Sequence, residues 1–144
     1  MPHLTLIYPF WPRERFSEAI FPLGQACGRT APFSLELSGL SHFVHGREHY
    51  TLYLVPKPAE PLIDLQRLLQ VAFPDCDEQS GHAGGFTPHL SLGQAKNRAE
   101  LMVRSRFIQE HWRPQRFEAC EVSLLVRRGQ EPFRVLQAFP LGAG

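Results

Sequence analysis

The amino-acid sequence predicts an α+β fold, and three observations predict it. Short segments that alternate polar and apolar residues recur between Pro- and Gly-rich turns. Three longer segments space their apolar residues three and four apart. The phrase Pro2-His3-Leu4-Thr5-Leu6 near the start returns as Pro88-His89-Leu90-Ser91-Leu92. Alternation marks a half-buried strand, and the wider spacing marks an amphipathic helix. No linker or low-complexity tract divides the chain, so residues 1–144 are expected to form a single domain.

In chain order, His3 to Tyr8 reads as a first strand, ended by Pro9 and Pro12. Residues 13–27 place Phe16, Ala19, Ile20, Leu23 and Cys27 at helical spacing, and Pro22 in their midst predicts a kink or a late start. Phe33 to Ser38 alternates cleanly and His49 to Val55 is rich in β-formers, so two strands flank the short turn around Gly46. Residues 58–73 open on prolines and then set Leu62, Leu65, Leu69 and Phe73 on one helical face, until Pro74 ends the pattern. Residues 74–87, with Asp75, Asp77, Ser80, Gly81, Gly84 and Gly85, read as a loop that delivers the chain into a strand at Pro88–Leu92. A third helix is expected over 97–111. Phe117 to Arg127 and Phe133 to Leu141 follow as two strands joined by a turn near Arg128-Gly129-Gln130.

Composition narrows the function classes. With 43% hydrophobic and 20% charged residues the chain is ordinary globular protein, which excludes disorder and fibre. No apolar run nears the roughly 20 residues that cross a bilayer, and no basic stretch leads into an apolar core at the start, so a soluble cytoplasmic protein is expected. Cys27, Cys76 and Cys120 are odd in number and widely spaced, fitting neither a disulfide framework nor a zinc ribbon. Cys27 and Cys120 are expected to pack in the interior. A net charge of +1 lacks the global field of a long-nucleic-acid binder, although residues 96–144 hold nine Lys/Arg against five Asp/Glu. That argues against long duplexes and leaves charge enough to help hold one phosphate or a short strand.

The repeated phrase carries the chemistry. Alternate residues of a strand share a face, so His3 with Thr5, and His89 with Ser91, should point one way while Leu4, Leu6, Leu90 and Leu92 point into the core. Two such strands side by side about a pseudo-twofold axis would line one cleft with two imidazoles and two hydroxyls. Histidine's ordinary pKa lies near 6.5, so one ring can accept a proton while the other donates one. The hydroxyls of Thr5 and Ser91 can donate to phosphate oxygens. This set suits displacement at a phosphodiester without a metal or other cofactor.

At these residues the chain resembles the 2H phosphoesterase superfamily, built on two His-x-Thr/Ser-x motifs, and within it the 2′-5′ RNA ligase-like, RNA 2′,3′-cyclic phosphodiesterase branch. His3-Leu-Thr-Leu followed by Ile7-Tyr-Pro-Phe10 is similar to the branch's first motif, and Phe86-Thr-Pro-His89-Leu-Ser-Leu to its second. The resemblance implies a bilobal fold of two antiparallel sheets with helices outside and the histidines in a central cleft. It implies hydrolysis of 2′,3′-cyclic phosphates, or action on 2′-5′ linkages, at RNA or nucleotide ends, with His3 and His89 catalytic and Thr5 and Ser91 holding phosphate. Cleavage of 2′-5′ oligoadenylate or of an ADP-ribose cyclic phosphate would use the same residues. Relatives usually carry a strand and a helix before the first motif, and the expectation is that this domain lacks them.

Other residues are weaker candidates. Tyr8, Phe10, Phe86 and Phe133 could stack on a base. Phe133 and Arg128, near the final hairpin turn, are the first expectations for substrate contact. Cys76, Asp77, His82 and His89 lie close in sequence but without regular ligand spacing, so no metal site is assigned. The rival to an enzyme is a nucleotide-binding or scaffolding module in which the same motifs hold a phosphate without turnover.

Overall fold

The computed structural model describes residues 1–81 and 84–142, and its strands form two antiparallel sheets. In chain order, a 3₁₀ turn at Arg13–Arg15 leads into α1 (Phe16–Gly28), then β1 (Phe33–His45), β2 (His49–Lys57), α2 (Glu60–Ala72) and β3 (Leu90–Ala95). There follow α3 (Arg98–His111), β4 (Gln115–Ala119), β5 (Glu121–Val126) and β6 (Arg134–Pro140). One sheet has the order β3-β2-β1-β4, and β5 with β6 makes the other. The fold is the α+β arrangement that the periodicities predict. Among the described residues no helix is long and apolar enough to cross a membrane.

The β1–β2 hairpin turns at Gly46, whose φ of +62° is the left-handed conformation that glycine adopts without strain. Its register pairs His45 with His49 and Phe43 with Thr51. The register slips between Leu37 and Gly39, so Leu37 opposite Pro56 and Leu40 opposite Leu54 still share a face. That change of phase explains why clean alternation stops near Ser38 while the strand runs on to His45.

Two apolar clusters hold the elements. α3 covers one face of the four-stranded sheet, where Leu52, Ala95 and Leu101 pack with Leu40, Tyr50 and Ile108, and the Trp112 indole donates to the Leu37 carbonyl. The larger cluster joins Ala19, Leu23 and Cys27 of α1, Leu65 and Leu69 of α2, Phe73, and Leu124 and Phe139 of β5 and β6. Full burial of a side chain such as Phe73 contributes about 1.5–3 kcal/mol. This packing carries α1 through Pro22, so the helix starts at Phe16 despite the missing backbone donor.

Four expectations are corrected. Residues 3–8 form no strand, because among the described residues no neighbouring strand pairs with their backbone. Leu6, Ile7, Phe10 and Trp11 are held by side-chain packing on the larger cluster instead. The expected strand Phe117–Arg127 is two strands, since the chain leaves the β1 ladder at Ala119 and joins β6 from Glu121. Cys120, at that switch, is exposed instead of interior. Leu92 is 39% exposed because the β2–β3 register shifts there, pairing Ser91 with Tyr53 but Gly93 with Leu52 and leaving Leu92 as the extra residue.

Candidate functional site

The second motif is carried by the larger sheet. His89 stands immediately before β3, whose ladder pairs Leu90 with Leu54 and Ser91 with Tyr53. Paired residues of an antiparallel ladder point to the same face. Leu54 is fully buried, so Leu90 turns inward with it and Ser91 turns with Tyr53 to the opposite face. On that face the Tyr53 ring stacks on Phe43 with centroids 4.3 Å apart. The His89 imidazole meets Phe43 edge-on at 4.9 Å and Tyr53 at 5.5 Å. Its Nδ1 lies 2.8 Å from the Thr87 carbonyl oxygen. A carbonyl can only accept, so Nδ1 carries the hydrogen and, in the neutral ring, Nε2 is left as the free base.

The first motif reaches the same local arrangement by another route. His3 Nδ1 lies 3.0 Å from the Met1 carbonyl, again two residues behind, which in the neutral ring leaves Nε2 without the hydrogen. Its ring meets Phe133 edge-on at 5.4 Å, and the Arg127 guanidinium lies over the same phenyl ring at 4.5 Å. Phe133 stands just before β6 and Arg127 just after β5, so the end of the two-stranded sheet supplies this half. Behind the motif, Trp11 donates to Asp75 and lies under the Arg15 guanidinium, which ties the segment to the loop after α2.

That loop is pinned in turn. Gln66, a buried polar residue, donates to the Ser80 hydroxyl, Ser80 donates to Gln70, and Gln70 donates to the carbonyls of Phe73 and Cys76. The approach to the second motif is thereby fastened to α2 as far as Gly81, where a backbone bond to Asp77 closes a turn.

The expected site residues are thus distributed in two groups. His89 and Ser91 fall together with Phe43 and Tyr53, and His3 with Phe133. Among the described residues no hydrogen bond or ring contact links one group to the other. No ladder fixes the face of Thr5, which is half-buried. Tyr8 is exposed, whereas Phe10 is used in the core, edge-on to Phe73 at 4.9 Å. The guanidinium on Phe133 belongs to Arg127; its expected neighbour Arg128 holds the turn through a carbonyl that accepts from the Glu131 N–H. Phe43, Tyr53 and Arg127 were not read from the sequence. The signal for the first two was partial: Gly46 marks the hairpin, but the register that sets Phe43 and Tyr53 on one face is fixed only by the pairing of β1 with β2.

Of the residues considered for a metal, His82 lies outside the described residues. Among the described residues no three His, Cys, Asp or Glu side chains come together. An open groove of about 300 Å³, lined by Leu52, Leu92, Gly93, Val103, Arg104, Phe107 and Ile108, lies beside α3 on the opposite face from Ser91. It is a seam between helix and sheet, away from both imidazoles.

Comparison with curated protein sequences returns no match. Among solved structures, the Thermus thermophilus protein TT0787 superposes with a TM-score of 0.70 at 20% identity, over 98% of this chain and 78% of that one. LigT of E. coli, solved in complex with 3′-AMP, superposes with a TM-score of 0.67 at 21% identity, over 97% of this chain and 76% of the other. At such identities the likeness is one of fold. The model of the 2′-5′ RNA ligase superfamily matches residues 1–131, which include both histidine motifs, and on that match the chain belongs to the 2′-5′ RNA ligase superfamily.

Proposed function

We propose that the protein is a metal-independent phosphodiesterase that hydrolyses a 2′,3′-cyclic phosphate, or a 2′-5′ linkage, at the end of an RNA or on a nucleotide. The observation that carries the reading is the matched state of His3 and His89. Each spends Nδ1–H on the carbonyl two residues behind it, and each keeps Nε2 for chemistry. One Nε2 takes the proton from the attacking water as its oxygen bonds to phosphorus. The other, entering the cycle protonated, gives its proton to the ribose oxygen whose bond to phosphorus breaks. Thr5 and Ser91 donate to the non-bridging oxygens, where charge shifts in the five-coordinate state. LigT was solved with 3′-AMP, a nucleotide bearing a phosphate on the ribose, and a ligand of that class suits this reading. Family membership and a fixed imidazole tautomer at both motifs support it together.

The test is incubation with nucleoside 2′,3′-cyclic monophosphates and with a cyclic-phosphate-ended oligonucleotide, in chelator. Wild type is compared with His3→Ala and His89→Ala. The expected result is a 2′- or 3′-monophosphate from wild type, with each variant slower by about 10²–10⁴-fold, the usual worth of a general acid or base. Undiminished turnover in both variants would overturn the assignment. Binding without any product would replace it with the binding-module alternative.

A further inference from the structure

The sheet face that carries Ser91 and meets the His89 ring continues past Phe43. The β1–β2 ladder pairs Phe43 with Thr51 and His45 with His49, and all four alternate in step with Tyr53, so they look out from the same face. His45 Nε2 and Thr51 Oγ1 are 2.9 Å apart. The Phe43 ring lies 6.5 Å from the His45 ring and 4.9 Å from that of His89, so a single phenyl ring separates the two imidazoles. His45 and His49 are exposed. An exposed hydrogen bond of this kind adds little to stability, so the fold gives no reason for the cluster.

Its valences give one. In the tautomer that donates Nε2–H to Thr51, the Thr51 hydroxyl proton is free to point outward. His49, paired beside it, brings a further ring nitrogen, and Gln94, paired with Thr51 across the β2–β3 ladder, brings an amide. The connecting turn holds Arg47 and Glu48, one charge of each sign, so this end of the face has no excess of carboxylates. The cluster therefore offers hydroxyl, amide and imidazole groups to solvent, one ring's width from His89. The aromatic pair Phe43 and Tyr53 lies between, and such rings accept any base or sugar face.

Resting on the proposed phosphodiesterase reading, we propose that His45 and Thr51, assisted by His49, form a second phosphate subsite. It takes the internucleotide phosphate next to the terminal cyclic phosphate, so the preferred substrate is an oligonucleotide end and not a mononucleotide. The test compares wild type with His45→Ala/Thr51→Val, a double substitution at a surface pair, with thermal melting to show that the fold is retained. The substrates are adenosine 2′,3′-cyclic monophosphate and diadenylate ending in a 2′,3′-cyclic phosphate. Wild type should show a KM about tenfold lower for the dinucleotide, the worth of one hydrogen bond to a charged group. The double variant should lose that gain at unchanged kcat, with the mononucleotide unaffected. Equal effects on both substrates, or none on either, overturn the subsite. Calorimetric binding of 3′-AMP and of diadenylate ending in a 3′-phosphate separates this inference from the catalytic reading. A dinucleotide gain that vanishes in the double variant upholds the subsite even if neither cyclic phosphate is turned over. Absence of the gain in wild type ends it.

Discussion

The second motif is built onto a four-stranded sheet and the first onto a segment without a ladder, yet both end with the same imidazole state. His89 and His3 each bind the carbonyl two residues behind through Nδ1, and each lies edge-on to a phenyl ring. The difference shows which part of the geometry is local. The tautomer is set by the motif's own backbone and needs no sheet. The neighbours are not local: β1 and β2 bring Phe43 and Tyr53 to His89, and the ends of β5 and β6 bring Arg127 and Phe133 to His3. The ladder also aims Ser91, whereas Thr5 depends on how well the packed segment 6–11 is held.

The strongest way to break this comparison is to remove that hold. Phe73 is fully buried and touches both Phe10 and Trp11 edge-on, at 4.9 and 5.0 Å. Phe73→Ala should cost about 3–5 kcal/mol of stability. Read by limited proteolysis, it should also cost residues 4–11 their resistance to cleavage while the β2–β3 ladder keeps its own. Equal loss in both places would mean that the two motifs share one cooperative unit and that the contrast between them has no thermodynamic content.

A second contrast lies between cysteines. Burial pushes the Cys27 thiol up to about 11, whereas Cys120 is exposed at the chain's passage from one sheet to the other. At pH 8 a thiol with so high a pKa holds about a hundredfold less thiolate than an ordinary one, before burial slows reagent access as well. Iodoacetamide followed by peptide mass analysis should therefore label Cys120 in the native protein and Cys27 only after denaturation. Native labelling of Cys27 at a comparable rate would show that the core behind the first motif opens readily.

Much of this architecture is legible because it rests on local periodicity. Leu62, Leu65, Leu69 and Phe73 mark α2 and its buried face, Gly46 marks the hairpin, and the repeated Pro-His phrase marks both histidines. What is illegible depends on partners. Nothing local at Cys120 shows that β4 belongs to β1 and β5 to β6, since both strands alternate acceptably. The slip at Leu92 lies in pairing with β2, so a strand read alone sends that leucine inward. The same limit makes residues 3–8 read as a strand: HLTLIY has the pattern, and only the absence of a paired neighbour among the described residues decides otherwise.

The phenyl rings sharpen the comparison further. Edge-on aromatic contacts are worth about 0.5–1.5 kcal/mol, so replacing Phe133 or Phe43 by Leu should lower kcat/KM by about two- to tenfold if ring orientation contributes to proton transfer. The two should differ in kind. Phe43→Leu also loses the stack on Tyr53 and should lower Tm, whereas Phe133→Leu frees Arg127 and should act on substrate affinity. Matching losses in Tm with no change in either kinetic constant would reduce both rings to packing.

The smallest effect tests the scaffold behind the second motif. Asn97 accepts from the Glu100 N–H, and Glu100 accepts in return from the Lys96 N–H, each at 2.8 Å, so a reciprocal cap fixes the turn from β3 into α3. The Lys96 N–H foremost, and then the Arg104 guanidinium, hold the Glu100 carboxyl below its ordinary range. A carboxyl whose pKa is lower folded than unfolded stabilises above its unfolded pKa, near 4.3, and loses that contribution as pH falls through the folded value. Glu100→Gln keeps the cap's shape and removes its charge. It should lower Tm by about 1–2 °C at pH 7, and the gap should close as the wild-type carboxyl becomes protonated below pH 4. Turnover should be untouched, because the cap acts on the sheet's far face from Ser91. A gap that persists at pH 3 would mean that shape and not charge carries the cap, and lost turnover would mean that the sheet transmits small shifts in α3 to the second histidine.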